Sequence, residues 1–207
     1  MDQPTYVFRE HAADAPDAPL LFLFHGTGGD ENQFFDLGRQ LLPGARIVAP
    51  RGDVSESGAL RYFRRFAEGQ FDMVDLALRT AAMAQFVAAQ TREPRPSPVV
   101  ALGYSNGANI IANLLFERPD LFDVAVLMHP LVPFVPKGQA GLAGKNLLIT
   151  AGRGDPICPP PKTEELNAYF VAQRAATALF WHDGGHEIRQ DELAAVATFL
   201  LPHRGAR

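Results

Sequence analysis

Residues Pro98–Pro119 read "PVVALGYSNGANIIANLLFERP". Val99 to Leu102 are all apolar, as in a strand covered on both faces. The run stops at Gly103, Ser105 stands between Gly103 and Gly107, and an amphipathic run follows. A small polar residue where a strand gives way to a helix has two readings. It belongs to a tight turn that needs small side chains, or it is a nucleophile held on a strained corner.

Outward from this junction, short apolar runs alternate with longer amphipathic ones. "PTYVFRE" alternates like a half-exposed edge strand, and "PLLFLFH" is continuous like a buried one. "ENQFFDLGRQLL" predicts a helix and "ARIVAP" a strand. Arg51 to Phe71 has no clear period and reads as a loop. "DMVDLALRTAAMAQFVAAQ" places Val74, Leu78, Ala81 and Ala82 at helical spacing, with Asp72 as N-cap. Strand "PVVALG", helix "GANIIANLLFE", strands "DVAVLM" and "NLLIT", helix "TEELNAYFVAQR", strand "TALFWH" and helix "RQDELAAVATFLL" complete the order. Thr163 and Glu164–Glu165 offer a cap and negative charge at a helix start. The pattern predicts an α/β fold over residues 1–207: one domain with a mostly parallel sheet, helices on both faces and no insertion long enough for a cap domain. In such sheets ligands gather beyond the carboxyl ends of the strands.

The bulk numbers agree with one globular unit. The chain has 207 residues, 47% hydrophobic and 20% charged, which suits a packed core. A net charge of −4 and the lack of a basic run argue against nucleic acid as a partner. Cys158 is the single cysteine, so no internal disulfide forms. No apolar stretch approaches the ~20 residues of a membrane span, and the N-terminus lacks the pattern of a secretory signal. A cytoplasmic protein is the expectation. Exposed strand edges or helices leave a homodimer open.

The strand ends carry the chemistry. "HGTGGDE" follows the first central strand, "GYSNG" the strand before the quoted helix, "AGRGDPICPPP" the strand "NLLIT", and "DGGHE" the last strand. Serine, aspartate and histidine thus occur in that order, each just past a strand. This placement resembles the α/β-hydrolase superfamily, whose nucleophile occupies a G-x-S-x-G turn, and Gly103-Tyr104-Ser105-Asn106-Gly107 matches it fully. Within the superfamily the chain is similar over nearly its whole length to small bacterial carboxylesterases of the phospholipase/carboxylesterase family, relatives of acyl-protein thioesterases. "FLFHGTGGDENQF", "APRGDV", "GYSNGANI", "GRGDPICP" and "GGHEI" carry the likeness. "RYFRRFAEGQFDMVDL" resembles a branch linked to quinone stress in some bacteria, which implies no substrate.

The resemblance implies an esterase with an acyl-enzyme intermediate. Ser105 is the nucleophile, His186 the base that takes its proton, and Asp155 the acid that orients the imidazole. The backbone N–H groups of Thr27 and Asn106 form the oxyanion hole, and the substrate is a small-molecule ester of short or medium acyl chain. No cofactor is implied. Thioester or lysophospholipid cleavage by the same residues is the enzymatic alternative, and a non-catalytic binding protein of this fold the other. "HGTGG" invites a dinucleotide reading, but G-x-G-x-x-G fails at Glu31.

Rivals exist for each assignment. Asp120 and Asp123 compete with Asp155, and His182 competes with His186. His25 reads as structural, bonded to backbone beneath the oxyanion loop, and His129 as a strand-end residue near the pocket rim. No i, i+4 histidine pair or cysteine cluster supports a metal at His25, His129, His182 or His186. Arg64 and Arg65 read as a solvated pair, with a substrate carboxylate as the alternative. Cys158 reads as a packed small residue. Phe63, Phe66, Phe71 and Phe134 sit in loops able to floor an acyl pocket.

Overall fold

In the computed structural model, which describes residues 5–91 and 94–204, the chain runs through sixteen principal elements. They are β1 (Phe8–His11), β2 (Leu20–Phe24), α1 (Phe35–Leu41), β3 (Arg46–Pro50), β4 (Val54–Glu56), β5 (Ala59–Arg61), β6 (Arg65–Ala67), β7 (Gln70–Phe71), α2 (Met73–Gln90), β8 (Val99–Tyr104), α3 (Asn106–Glu117), β9 (Val124–Met128), β10 (Asn146–Gly152), α4 (Pro160–Ala172), β11 (Ala176–His182) and α5 (Gln190–Leu200). Seven strands form one sheet in the order β1-β3-β2-β8-β9-β10-β11. Only β1 runs antiparallel, on the edge, where its residues are largely exposed. The Pro4 at the start of the expected edge strand lies outside the described residues.

Alternation along the strands divides the core. Leu20, Phe22 and Phe24 of β2 belong to one core with Leu76, Met83 and Val87 of α2, Ile111 and Leu114 of α3, and Leu166 and Phe170 of α4. Leu21 and Leu23 point the other way, into a second core shared with Phe35 and Leu41 of α1 and Val196 and Leu200 of α5. A strand that is apolar at every position is what two covered faces require. Burying each large side chain contributes about 1.5–3 kcal/mol. No described helix is long and apolar enough to cross a membrane.

Four local expectations are corrected. Residues 51–71 are not an irregular loop but two small hairpins, β4–β5 and β6–β7. Ser57 (φ 52°) and Gly58 (φ 92°) close the first, and Glu68-Gly69 closes the second. These dipeptides are the two-residue turn signals that positive φ demands. The first helix begins at Phe35, four residues after Glu31, because Gln33 folds back to accept the Gly26 N–H at 2.8 Å. The fourth helix begins at Pro160 rather than Thr163; proline suits the first helical turn, where no N–H is needed, and Thr163 is buried inside the helix. Along α2, Asp72 is the N-cap, accepting from the Asp75 N–H, but Val74 and Leu78 face solvent.

Candidate active site

Ser105 is the residue between β8 and α3. Its backbone has φ 53° and ψ −116°, a left-handed conformation that costs a non-glycine residue on the order of 1–3 kcal/mol. The flanking glycines let the corner close. A Cβ on Gly103 would come within 2.7 Å of the Gly107 backbone, and one on Gly107 within 2.3 Å of the Phe24 carbonyl oxygen. The corner thus lifts the serine hydroxyl above the sheet, at the N-terminal end of α3, where the helix dipole is positive.

The loops after β10 and β11 bring the expected partners to it. His186 Nε2 lies 2.9 Å from Ser105 Oγ, and His186 Nδ1 lies 2.7 Å from Asp155 Oδ2. Asp155 is buried, and its other oxygen accepts the Ile157 and Cys158 N–H groups at 2.8 and 2.9 Å. Burial would raise its carboxyl, but hydrogen bonds from His129, His186 and the Cys158 N–H outweigh that and hold it well below the usual carboxylate range. The rival acids are elsewhere. Asp123 accepts the Val99 N–H at the opposite end of the strands and pairs with Arg95, while Asp120 pairs with Arg118. His182, the rival histidine, ends β11 and is buried away from Ser105.

Thr27 and Asn106 line the same cavity as Ser105 and His186. Among the described residues, neither backbone N–H has a hydrogen-bond acceptor. Free amide donors beside a hydroxyl on a strained corner suit a developing oxyanion. His25 lies beneath them as expected: its Nδ1 donates to the Gly26 carbonyl at 2.7 Å and its Nε2 accepts the Gly52 N–H at 2.8 Å.

Three site residues escaped the sequence reading. Arg61, 2% exposed, donates through Nη1 to Thr27 Oγ1 at 2.6 Å and through Nε to the Phe63 carbonyl at 3.2 Å, bracing the loop that carries the Thr27 amide. Burial lowers its guanidinium to about 10. Tyr104 donates its hydroxyl to the His186 carbonyl at 2.6 Å and so fastens the histidine loop to the end of β8. Glu192 on α5 is buried within reach of His129. Its Glu192 side chain also closes a capping box with Arg189 at the start of α5, a signal that explains its helix position but not its partner.

Other expectations resolve differently. Arg64 is a surface residue paired with Asp72 and Asp75, whereas Arg65 lines the cavity and pairs with Glu56 and Glu68. Of the four phenylalanines, only Phe71 lines the cavity; Phe63 is core, Phe66 is exposed, and Phe134 borders separate grooves. His129 is not at a rim but fully buried behind Asp155, because the chain after β9 turns inward. Cys158 is packed, its thiol donating to the His129 carbonyl and pushed up by burial.

His129, His182 and Glu192 have donor atoms close enough to hold a metal ion. Their hydrogen bonding does not fit one. The Gly184 N–H donates to His182 Nδ1 at 3.0 Å, which puts that ring's proton on Nε2, the atom that would have to ligate.

No protein-family model matches the chain. It is 42% identical over 175 residues, 84% of this chain and 88% of the relative, to the "Putative hydrolase MhqD" of Bacillus subtilis (strain 168). Among solved structures it is 52% identical to the protein Atu2452 of unknown function from Agrobacterium tumefaciens str. C58, with a TM-score of 0.92 over 98% of this chain and 99% of that one. A carboxylesterase from Bacillus cereus is 36% identical, with a TM-score of 0.90 over 96% and 94% of the two chains.

Proposed function

The chain belongs to the carboxylesterases of the α/β-hydrolase fold and is a hydrolase of carboxylic esters; from that premise we propose that it cleaves short-chain esters through an acyl-enzyme on Ser105. The Ser105 oxygen attacks the ester carbonyl while His186 Nε2 takes its proton. Asp155 holds the other side of the imidazole and stabilises its charged form. The Thr27 and Asn106 amides receive the oxyanion. Collapse expels the alcohol, which leaves with the proton from His186. Water then attacks the acyl group, gives a proton to His186, and releases the acid and Ser105. The observation that carries this reading is the unbroken line from Ser105 Oγ to His186, 2.9 Å, and from His186 to Asp155, 2.7 Å.

The cavity beside Ser105 has a volume of about 150 Å³, small against the ~300–1,000 Å³ of usual ligand sites. Its walls include Arg61, Arg65, Glu68, Asn106 and Asn109. That favours an acyl group of a few carbons over the medium chains also expected. In assays with p-nitrophenyl esters, acetate and butyrate should turn over and octanoate poorly, with an acyl-thiol arm measuring thioester preference. Ser105→Ala should lower kcat/KM by roughly 10⁴-fold or more. A fluorophosphonate should leave a mass adduct on Ser105. Full activity in the Ser105→Ala protein would overturn the assignment.

A further inference from the structure

Hydrogen bonding continues inward behind Asp155. His129, which follows β9, has φ 52°, a backbone uncommon for a residue with a side chain. Its Nδ1 lies 2.8 Å from Asp155 Oδ2, the same oxygen that His186 Nδ1 reaches. On the far side of the ring, Nε2 is 3.3 Å from Glu192 Oε1. Glu192 is in turn held by the Thr150 hydroxyl at 2.6 Å and the Arg189 N–H at 3.1 Å. His182 Nε2 lies 3.2 Å from His129 Nε2 and 3.8 Å from Glu192 Oε2. The Tyr104 and His186 rings pack edge-on to it at 5.7 and 5.1 Å, and Cys158 donates to its carbonyl. Asp155, Glu192, His182, His186, Tyr104 and Cys158 are therefore the titratable groups that face His129.

Two buried carboxylates face His129 and call for a cation, since unpaired buried charge is costly. The competing state is a neutral His129 whose Nε2 accepts the His182 Nε2–H at 3.2 Å. We propose that His129, held as an imidazolium between Asp155 and Glu192, is a positioning residue for His186: it shares Asp155 Oδ2, offsets its negative charge, and keeps His186 a proton acceptor further into the acid range. Resting on the Ser105–His186–Asp155 reading, this extends the line to five groups, ending on α5. An ionised Asp155 alone would favour the charged form of His186. A second N–H on the same oxygen, carrying a positive charge, opposes that. The protonation of His129 agrees: burial alone would lower it, but the hydrogen bonds to Asp155 and Glu192 push it up to about 9.

The test has two arms. In the unaltered protein, nitrogen-15 NMR of the six histidines should show His129 with both ring nitrogens protonated at pH 7.5; a neutral ring there would overturn the proposal. In the second arm, His129→Asn removes the ring while tolerating the left-handed backbone, and Glu192→Gln leaves the ring but removes its outer carboxylate. The acidic limb of kcat/KM on p-nitrophenyl acetate should move to higher pH by about one unit in His129→Asn, and less far in the same direction in Glu192→Gln. Fluorophosphonate titration counts the correctly folded sites. Lower turnover with the limb unmoved would mean a structural role only and would sink the idea. A wild-type protein without esterase activity would instead refute the Ser105 reading, while the NMR arm would still decide the state of His129.

Discussion

Ser105 holds its left-handed backbone because nothing on either side of it obstructs the corner. Gly107 is the tighter of its two neighbours, facing the carbonyls of both Phe24 and His25. Gly107→Ala would force the start of α3 away from β2. Overpacking of this kind costs about 1–3 kcal/mol, so urea unfolding should show that loss, together with activity reduced beyond what the unfolded fraction explains. An alanine variant with unchanged stability would mean that the corner has slack the geometry does not suggest.

Among elements, the loop after β11 depends on one bond from β8. Tyr104 binds the His186 carbonyl, and burial pushes its hydroxyl up to about 12, so it stays a donor at neutral pH. Tyr104→Phe keeps the ring against His186 and removes that anchor. A neutral hydrogen bond contributes ~0.5–1.5 kcal/mol; kcat should fall by a few-fold to about tenfold, with KM near the wild-type value. Unchanged kcat would show that the loop is fixed by its other contacts. The α2 helix teaches the opposite lesson about legibility. Its cap and length were readable, but two apolar stripes compete on its surface. Leu76, Met83, Phe86 and Val87 face the core while Val74 and Leu78 do not, and periodicity alone cannot choose between stripes.

Across the whole molecule, the carboxyl ends of β8, β9, β10 and β11 converge on one buried set of charges. That convergence couples stability to pH. The folded state keeps the His129 proton up to about 9, whereas an unfolded chain releases it near ~6.5. The resulting stabilisation is complete below about pH 6.5 and is lost as pH rises through about 9. Chemical denaturation should therefore give a lower unfolding free energy at pH 9.5 than at pH 6.5, and His129→Asn should flatten that slope. An equal slope in the variant would assign the dependence to other groups.

The alternation of strands and helices, the glycine-flanked serine and the order serine, aspartate, histidine were all legible in the chain, because each is a property of residues within a few positions of one another. The hairpins of residues 51–71 also carry a local signal, the turn dipeptides Ser57-Gly58 and Glu68-Gly69. The roles of Arg61, Tyr104, His129 and Glu192 were not legible. Each acts on a residue distant in sequence, across contacts created by strand order and by registers such as Thr150 beside Met128 and Gly152 beside His182. Local chemistry can announce a reactive corner; only the packing of separate strands determines which charges lie buried behind it.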